Sequence, residues 1–230
     1  MKKLTYAVIF TLLLVVSSYA GTTATSGITA QTIIDRIEQE LNDESGTLFS
    51  DAEAVRWINE AVNMVAEMSG CLELTQTVTL AANTQSYSVT TSHYDILSAM
   101  YDNGSSSSRR FYFLAPVSPN DPEKFNRETG RPQYFFEWAN YVYLWPIPDS
   151  SVADTTVTLF LAGKPTGVSA TSSTIETPYY FDKALLDWCC YKFWKKANQI
   201  ERAMIFRQSF EQVISRYTLQ IRKPLQPAAQ

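Results

Sequence analysis

Histidine is almost absent from this sequence. His93 is the only one in 230 residues, and there are three cysteines, Cys71, Cys189 and Cys190. A histidine-based triad needs a nucleophile and an orienting acid beside the imidazole, and nothing near His93 supplies them. One histidine with scattered cysteines gives no zinc-ligand spacing. Three cysteines do not make a disulfide framework either. Cys189 and Cys190 adjoin on a predicted helix, where neighbouring side chains diverge by about 100°. They read as core-facing or half-buried thiols, and His93 reads as a loop residue. No Walker-type loop, no Gly-x-Ser-x-Gly and no His-Glu-x-x-His occurs. The carboxylates fall mostly on helix surfaces. We therefore expect a non-enzyme with no catalytic residue, no metal site and no cofactor. Charge is also sparse, at 18% of residues, and the balance is acidic, with a net charge of -4 and a pI of about 5.1. That excludes a chain that is basic overall and binds nucleic acid through that charge. A membrane-spanning run is lacking as well, since Leu4–Val16 falls short of the roughly 20 apolar residues a spanning helix needs.

What is present divides the chain. Residues 1–20 have a positive start, Lys2-Lys3, an apolar run and small residues before Ala20. This is a secretory signal pattern with a cut after Ala20, or else an uncleaved apolar N-terminus. Residues 21–28 read as a linker. Residues 29–70 read as a helix pair. Thr29 is placed to cap the first helix, Ala30–Leu41, whose apolar face is Ile33, Ile34, Ile37 and Leu41. Ser50 and Glu53 form a capping box for the second, which has Ala54, Trp57, Ile58, Ala61, Val62, Val65 and Met68 on its apolar face and Gly70 as its stop. Residues 71–165 read as an inserted β domain. Its strands are predicted over 72–80 and 86–90 as a hairpin, then over 96–101 and 109–114 around Asp102-Asn103-Gly104 and a serine tip, and over 155–162. A short helix is expected from Ser118-Pro119 to Asn126. After a polar loop, Thr177-Pro178 opens a second helix pair over 177–222, and 223–230 is a tail. The fold class is α+β: a helical bundle built from the N-terminal and C-terminal helix pairs, with an antiparallel β domain between them. Charge is lopsided. Residues 21–60 hold eight acids against two arginines, while residues 182–223 hold nine basic side chains against four acids.

The richest stretch is 130–148. Two aromatic, β-branched runs flank Ala139-Asn140. With a two-residue loop there, Trp138 faces Tyr141, Phe136 faces Tyr143 and Tyr134 faces Trp145. Alternation puts all six on one face. The other face carries Gln133, Phe135, Glu137, Val142, Leu144 and Pro146. The six-ring face reads as core, with a sticky platform as the alternative.

Taken in order, a set of segments resembles the head–tail connectors, or tail adaptors, of tailed bacteriophages. They are Ser50-Asp51-Ala52-Glu53 with Trp57-Ile58-Asn59-Glu60-Ala61; Ile96–Gly104; Pro116-Val117-Ser118-Pro119; Gly130-Arg131-Pro132-Gln133-Tyr134 leading to Tyr143–Pro148; and Thr177-Pro178 with Phe181, Ala184-Leu185 and Tyr191. The similarity covers about residues 28–222. It implies a structural virion protein at the head–tail junction. Such proteins form a ring, commonly of twelve subunits, between the portal and the tail nozzle or tail tube proteins. The ring extends a DNA channel without sequence-specific recognition. The resemblance transfers no catalytic residue. Candidate contact residues are Arg109 and Arg110 at the serine tip, Trp138, Tyr143 and Trp145 on the hairpin, and Arg222 and Lys223 in the tail. Acidic early helices meeting basic late helices of a neighbour supply a second kind of contact. The signal-like N-terminus is atypical for a virion part. It supports an alternative: a periplasmic or secreted, non-catalytic binding module that uses the aromatic face. That alternative requires Trp138, Tyr143 and Trp145 to be exposed.

Overall fold

The computed structural model describes residues 25–43, 47–105, 109–120 and 128–221. The signal-like segment, the expected helix beyond Asn120, Arg222, Lys223 and the tail lie outside the described residues.

The described residues form four α-helices, which pack on one another, and one sheet. The helices are α1 (Ala30–Leu41), α2 (Asp51–Ser69), α3 (Asp182–Lys196) and α4 (Ile200–Ile221). The capping box forms as expected: the Glu53 amide donates to Ser50 Oγ at 3.3 Å, and the Ser50 amide donates to Glu53 Oε2 at 3.4 Å. Gly70 ends α2 in the left-handed region, at φ 65°. Three other expectations at helix ends need correction. Thr29 makes no side-chain cap; the first amides of α1 go to the loop before α3, Ala30 to the Ser173 carbonyl and Gln31 to that of Thr171. A tertiary partner has replaced the local one. Thr177 does not cap α3, because a 3-10 turn over Tyr179–Phe181 intervenes. Met68 sits at the far end of α2 and is exposed rather than packed. The linker also ends sooner than its composition implies. Residues 25–29 run alongside 174–178, held by bridges Thr25–Pro178 and Thr29–Thr174. One apolar cluster draws on all four helices: Ile33, Ile34 and Ile37 from α1, Trp57, Ile58 and Val62 from α2, Leu185 and Cys189 from α3, and Phe210 and Ile214 from α4.

Seven strands follow β1 (Glu73–Thr79), β2 (Ser86–Ser88), β3 (His93–Asp102), β4 (Phe111–Pro116), β5 (Tyr134–Trp138), β6 (Tyr141–Trp145) and β7 (Thr156–Gly163). Their order in the sheet is β1-β7-β3-β4-β5-β6-β2. All pairings are antiparallel except β4 with β5. The expected hairpin between the first two strands does not form: β1 pairs with β7 and β2 with β6. Yet the two ends of this order come back together. Gln76 Nε2 donates to the Ser88 carbonyl at 2.9 Å, and Gln76 Oε1 accepts from the Thr90 amide at 2.8 Å. One side-chain amide thus bridges the two outermost strands. The sheet curls around a second cluster that includes Val78, Ile96, Tyr101, Leu114, Phe135, Val142, Leu144, Val157, Leu159 and Leu161. His93 is not a loop residue. It opens β3, buried, with Nδ1 bonded to the Thr90 carbonyl and Nε2 2.9 Å from Glu137 Oε1.

Candidate functional site

The hairpin β5–β6 has the register read from its sequence. Tyr134 pairs with Trp145, Phe136 with Tyr143 and Trp138 with Tyr141. Ala139 and Asn140 both have positive φ, 50° and 63°, as a two-residue turn of matching twist requires. The inward face is the other one. Phe135, Val142 and Leu144 enter the core of the curled sheet, so the assignment of the six-ring face to that core is overturned, with Phe136 the one ring of the six that is buried. The sheet has room inside for one set of alternating side chains. The set of Phe135, Val142 and Leu144 fills it.

The outward rings form a graded ladder. Tyr134 and Trp145 have centroids 5.3 Å apart, and Phe136 stacks on Tyr143 at 4.8 Å and 6°. Phe136 is buried. Tyr134, Tyr143 and Trp145 are half-buried. Trp138 is 61% exposed and Tyr141 46%. Residues paired across strands share a face, so Ala115 on β4 lies on the same side as Tyr134. By alternation Phe111 and Phe113 join it, 53% and 64% exposed. Sequence reading missed these two. Their signal is the strict alternation with half-buried Tyr112 and buried Leu114.

The arginines of the β3–β4 tip differ from each other. Arg109 is tied down: Nε and Nη2 donate to Asp102 Oδ2 at 2.9 and 2.5 Å, and its guanidinium lies 5.3 Å from the centre of the Phe111 ring. This bond, with the Gly104 amide, holds the buried Asp102 carboxyl below its ordinary value of 3.8. Arg110 is exposed, and its backbone closes the turn against Asn103. Arg131 lies 4.2 Å from the centre of the Tyr112 ring. The structure therefore brings Trp138, Tyr143 and Trp145 onto one face, with Arg109 beside Phe111 at its edge.

The charged helix faces partly satisfy each other inside one chain. Lys192 reaches Glu60 at 2.7 Å, Lys196 reaches Glu53 at 2.8 Å and Arg36 reaches Asp182 at 3.5 Å. Lys196 and the Ser50 amide lower the Glu53 pKa. The cysteines are buried, and burial pushes the Cys71 thiol up to about 11 and that of Cys190 up to about 12. Such thiols are weak nucleophiles at neutral pH. Among the described residues, no three His, Cys, Asp or Glu side chains cluster so as to hold a metal ion.

A model of the SU10 adaptor protein family matches residues 28–228. The chain belongs to the SU10 adaptor protein family. This is a phage adaptor family of head–tail connectors, and the match covers the stretch on which the sequence resemblance rests. No curated protein matches the chain. Membership points to a structural virion adaptor, and the outward aromatic face, with Phe111, Phe113, Trp138 and Tyr141 exposed, offers apolar surface to a partner.

Proposed function

We propose that the chain is a structural adaptor at the head–tail junction of a tailed phage. In this reading copies assemble head to tail into a ring, twelve by resemblance. The ring joins the portal to the nozzle or tube proteins and extends the channel through which DNA passes. The observation that carries it is the family match over residues 28–228. Two features support the reading. Residues 30–71 and 168–214 supply one apolar cluster, and residues 78–161 supply a second with no residue in common. This is what a helical bundle with an inserted β domain requires. The exposed rings give a rigid sheet face on which another protein can bury apolar area.

The test is assembly. The intact chain is purified and its mass measured by native mass spectrometry, alone and with the portal protein of the same genome. A closed oligomer that adds to the portal supports the reading. A monomer that neither closes nor binds portal sinks it.

A further inference from the structure

Among the described residues, the β5-side edge of β4 is open over Phe111–Phe113, beside an exposed apolar face. Asn103 donates its amide to the Arg110 carbonyl, which makes 103 and 110 a hydrogen-bonded pair of the antiparallel ladder. The ladder continues through Tyr101 with Tyr112 and Ala99 with Leu114. Such pairs alternate, so the backbone groups of Tyr112 and Leu114 point at β3, and those of Phe111, Phe113 and Ala115 point away from it. Ala115 agrees: its amide donates to the Gln133 carbonyl on the β5 side at 2.8 Å. Pairing with β5 covers only Ala115 and Pro116. Before that point the two segments separate, because 129–133 turn to the other neighbour. Gly130 donates to the Ile147 carbonyl and Gln133 to that of Trp145. The result is a groove of about 290 Å³, lined by Phe113, Leu114, Arg131 and Gln133 among others. The N–H and C=O of Phe113 face it.

The two sides of this edge differ in chemistry. On the outward side stand the exposed rings of Phe111 and Phe113. On the other side Arg131 lies over Tyr112, and Arg110 shares the parity of Tyr112 at the strand's start. An extended segment laid along β4 places alternate side chains on the two sides. One set meets phenylalanines and the other meets guanidinium groups.

We propose that β4 is an augmentation edge that accepts an extended segment of a partner protein with alternating apolar and acidic residues. The backbone supplies the hydrogen bonds, Phe111 and Phe113 the apolar contact, and Arg110 and Arg131 the charge complement. The proposal rests on the adaptor reading for its partner class, another protein of the particle.

The test uses a fluorescein-labelled peptide, acetyl-Thr-Glu-Val-Glu-Val-Glu-Thr-amide, titrated into the intact chain and followed by anisotropy. Binding is expected, weaker by about tenfold or more for the peptide with lysine in place of glutamate, and for Arg131→Glu. Phe113→Pro removes the amide that faces the groove together with the ring and leaves the β3 ladder whole, so it is expected to abolish binding while the fold is kept, and Phe113→Ala, which removes the ring alone, is expected to bind more weakly but measurably. A peptide N-methylated on alternate amides asks the same question without touching the protein. Equal binding of the acidic and basic peptides, or of the N-methylated and plain peptides, overturns the proposal. So does loss of self-association in Phe113→Pro when the peptide does not compete, since the occupant is then a second copy. Peptide binding by a chain that forms no ring and ignores portal supports the edge and sinks the adaptor reading alone.

Discussion

At the scale of single residues, the clearest contributions are hydrogen-bonded charges and caps. Asp102 is buried at the end of β3 and has its carboxyl pKa held down by Arg109. A folded pKa below the unfolded one means stability that is present above the ordinary value of 3.8 and is lost as pH falls through the folded pKa. Arg109→Gln is therefore expected to lower the melting temperature at pH 7. The gap to the parent closes as pH drops below about 4, and thermal melts at several pH values read it directly. A gap that does not change with pH rules out the ion pair as the cause. Ser50→Ala removes one half of the capping box and is expected to cost about 1 kcal/mol in urea unfolding. Ser50 was legible from sequence because its partner lies three residues away. Thr29 was misread because its neighbours in space lie more than a hundred residues away and decided where the amides went, and Thr177 because a 3-10 turn comes between it and α3.

At the scale of elements, the hairpin β5–β6 shows how far local chemistry reaches. Alternation and loop length set its register, and both are local. Ala139 holds a positive φ that an alanine side chain disfavours. Ala139→Asn is expected to stabilise the protein by about 0.5–1 kcal/mol, since asparagine tolerates this region better. An unchanged unfolding midpoint contradicts the turn assignment. The direction the hairpin faces was not local: both faces are apolar, and only β1, β3 and β7 closing over Phe135, Val142 and Leu144 made one of them the inside. Gln76 makes the closing contact. Gln76→Ala loses both bonds across the seam and is expected to cost about 1–2 kcal/mol. Faster hydrogen exchange at the Thr90 amide than at β3 amides reports the opening.

For the whole molecule, two apolar clusters without a shared residue predict separable losses. Phe181→Ala and Leu144→Ala each empty a fully buried site, and each is expected to cost about 2–5 kcal/mol. If the helices and the sheet unfold as distinct units, calorimetry shows two transitions. Each variant then lowers only its own. A single transition lowered equally by both means that one cooperative unit spans the chain. One polar link between the parts is the Tyr94 hydroxyl, which donates to Asn63 Oδ1 at 3.2 Å. Charge behaves the same way at this scale. The acidic early helices and basic late helices meet within the chain through Glu53, Glu60, Lys192 and Lys196, which leaves less of that complementarity for a neighbour.

Sequence alone determined what depends on neighbours along the chain. The helices with their apolar stripes, the capping box, the left-handed stop at Gly70 and the register of the aromatic hairpin all have periods or partners within a few residues. The ordered set of segments over 28–222 also carried the family. Tertiary structure alone decided the partners of β1 and β2, the burial of His93 and the outward turn of six rings. The physical reason is common to them. A strand's alternation says that two faces exist, but which face is dry, and which edge stays open, depends on strands distant in sequence that close over it.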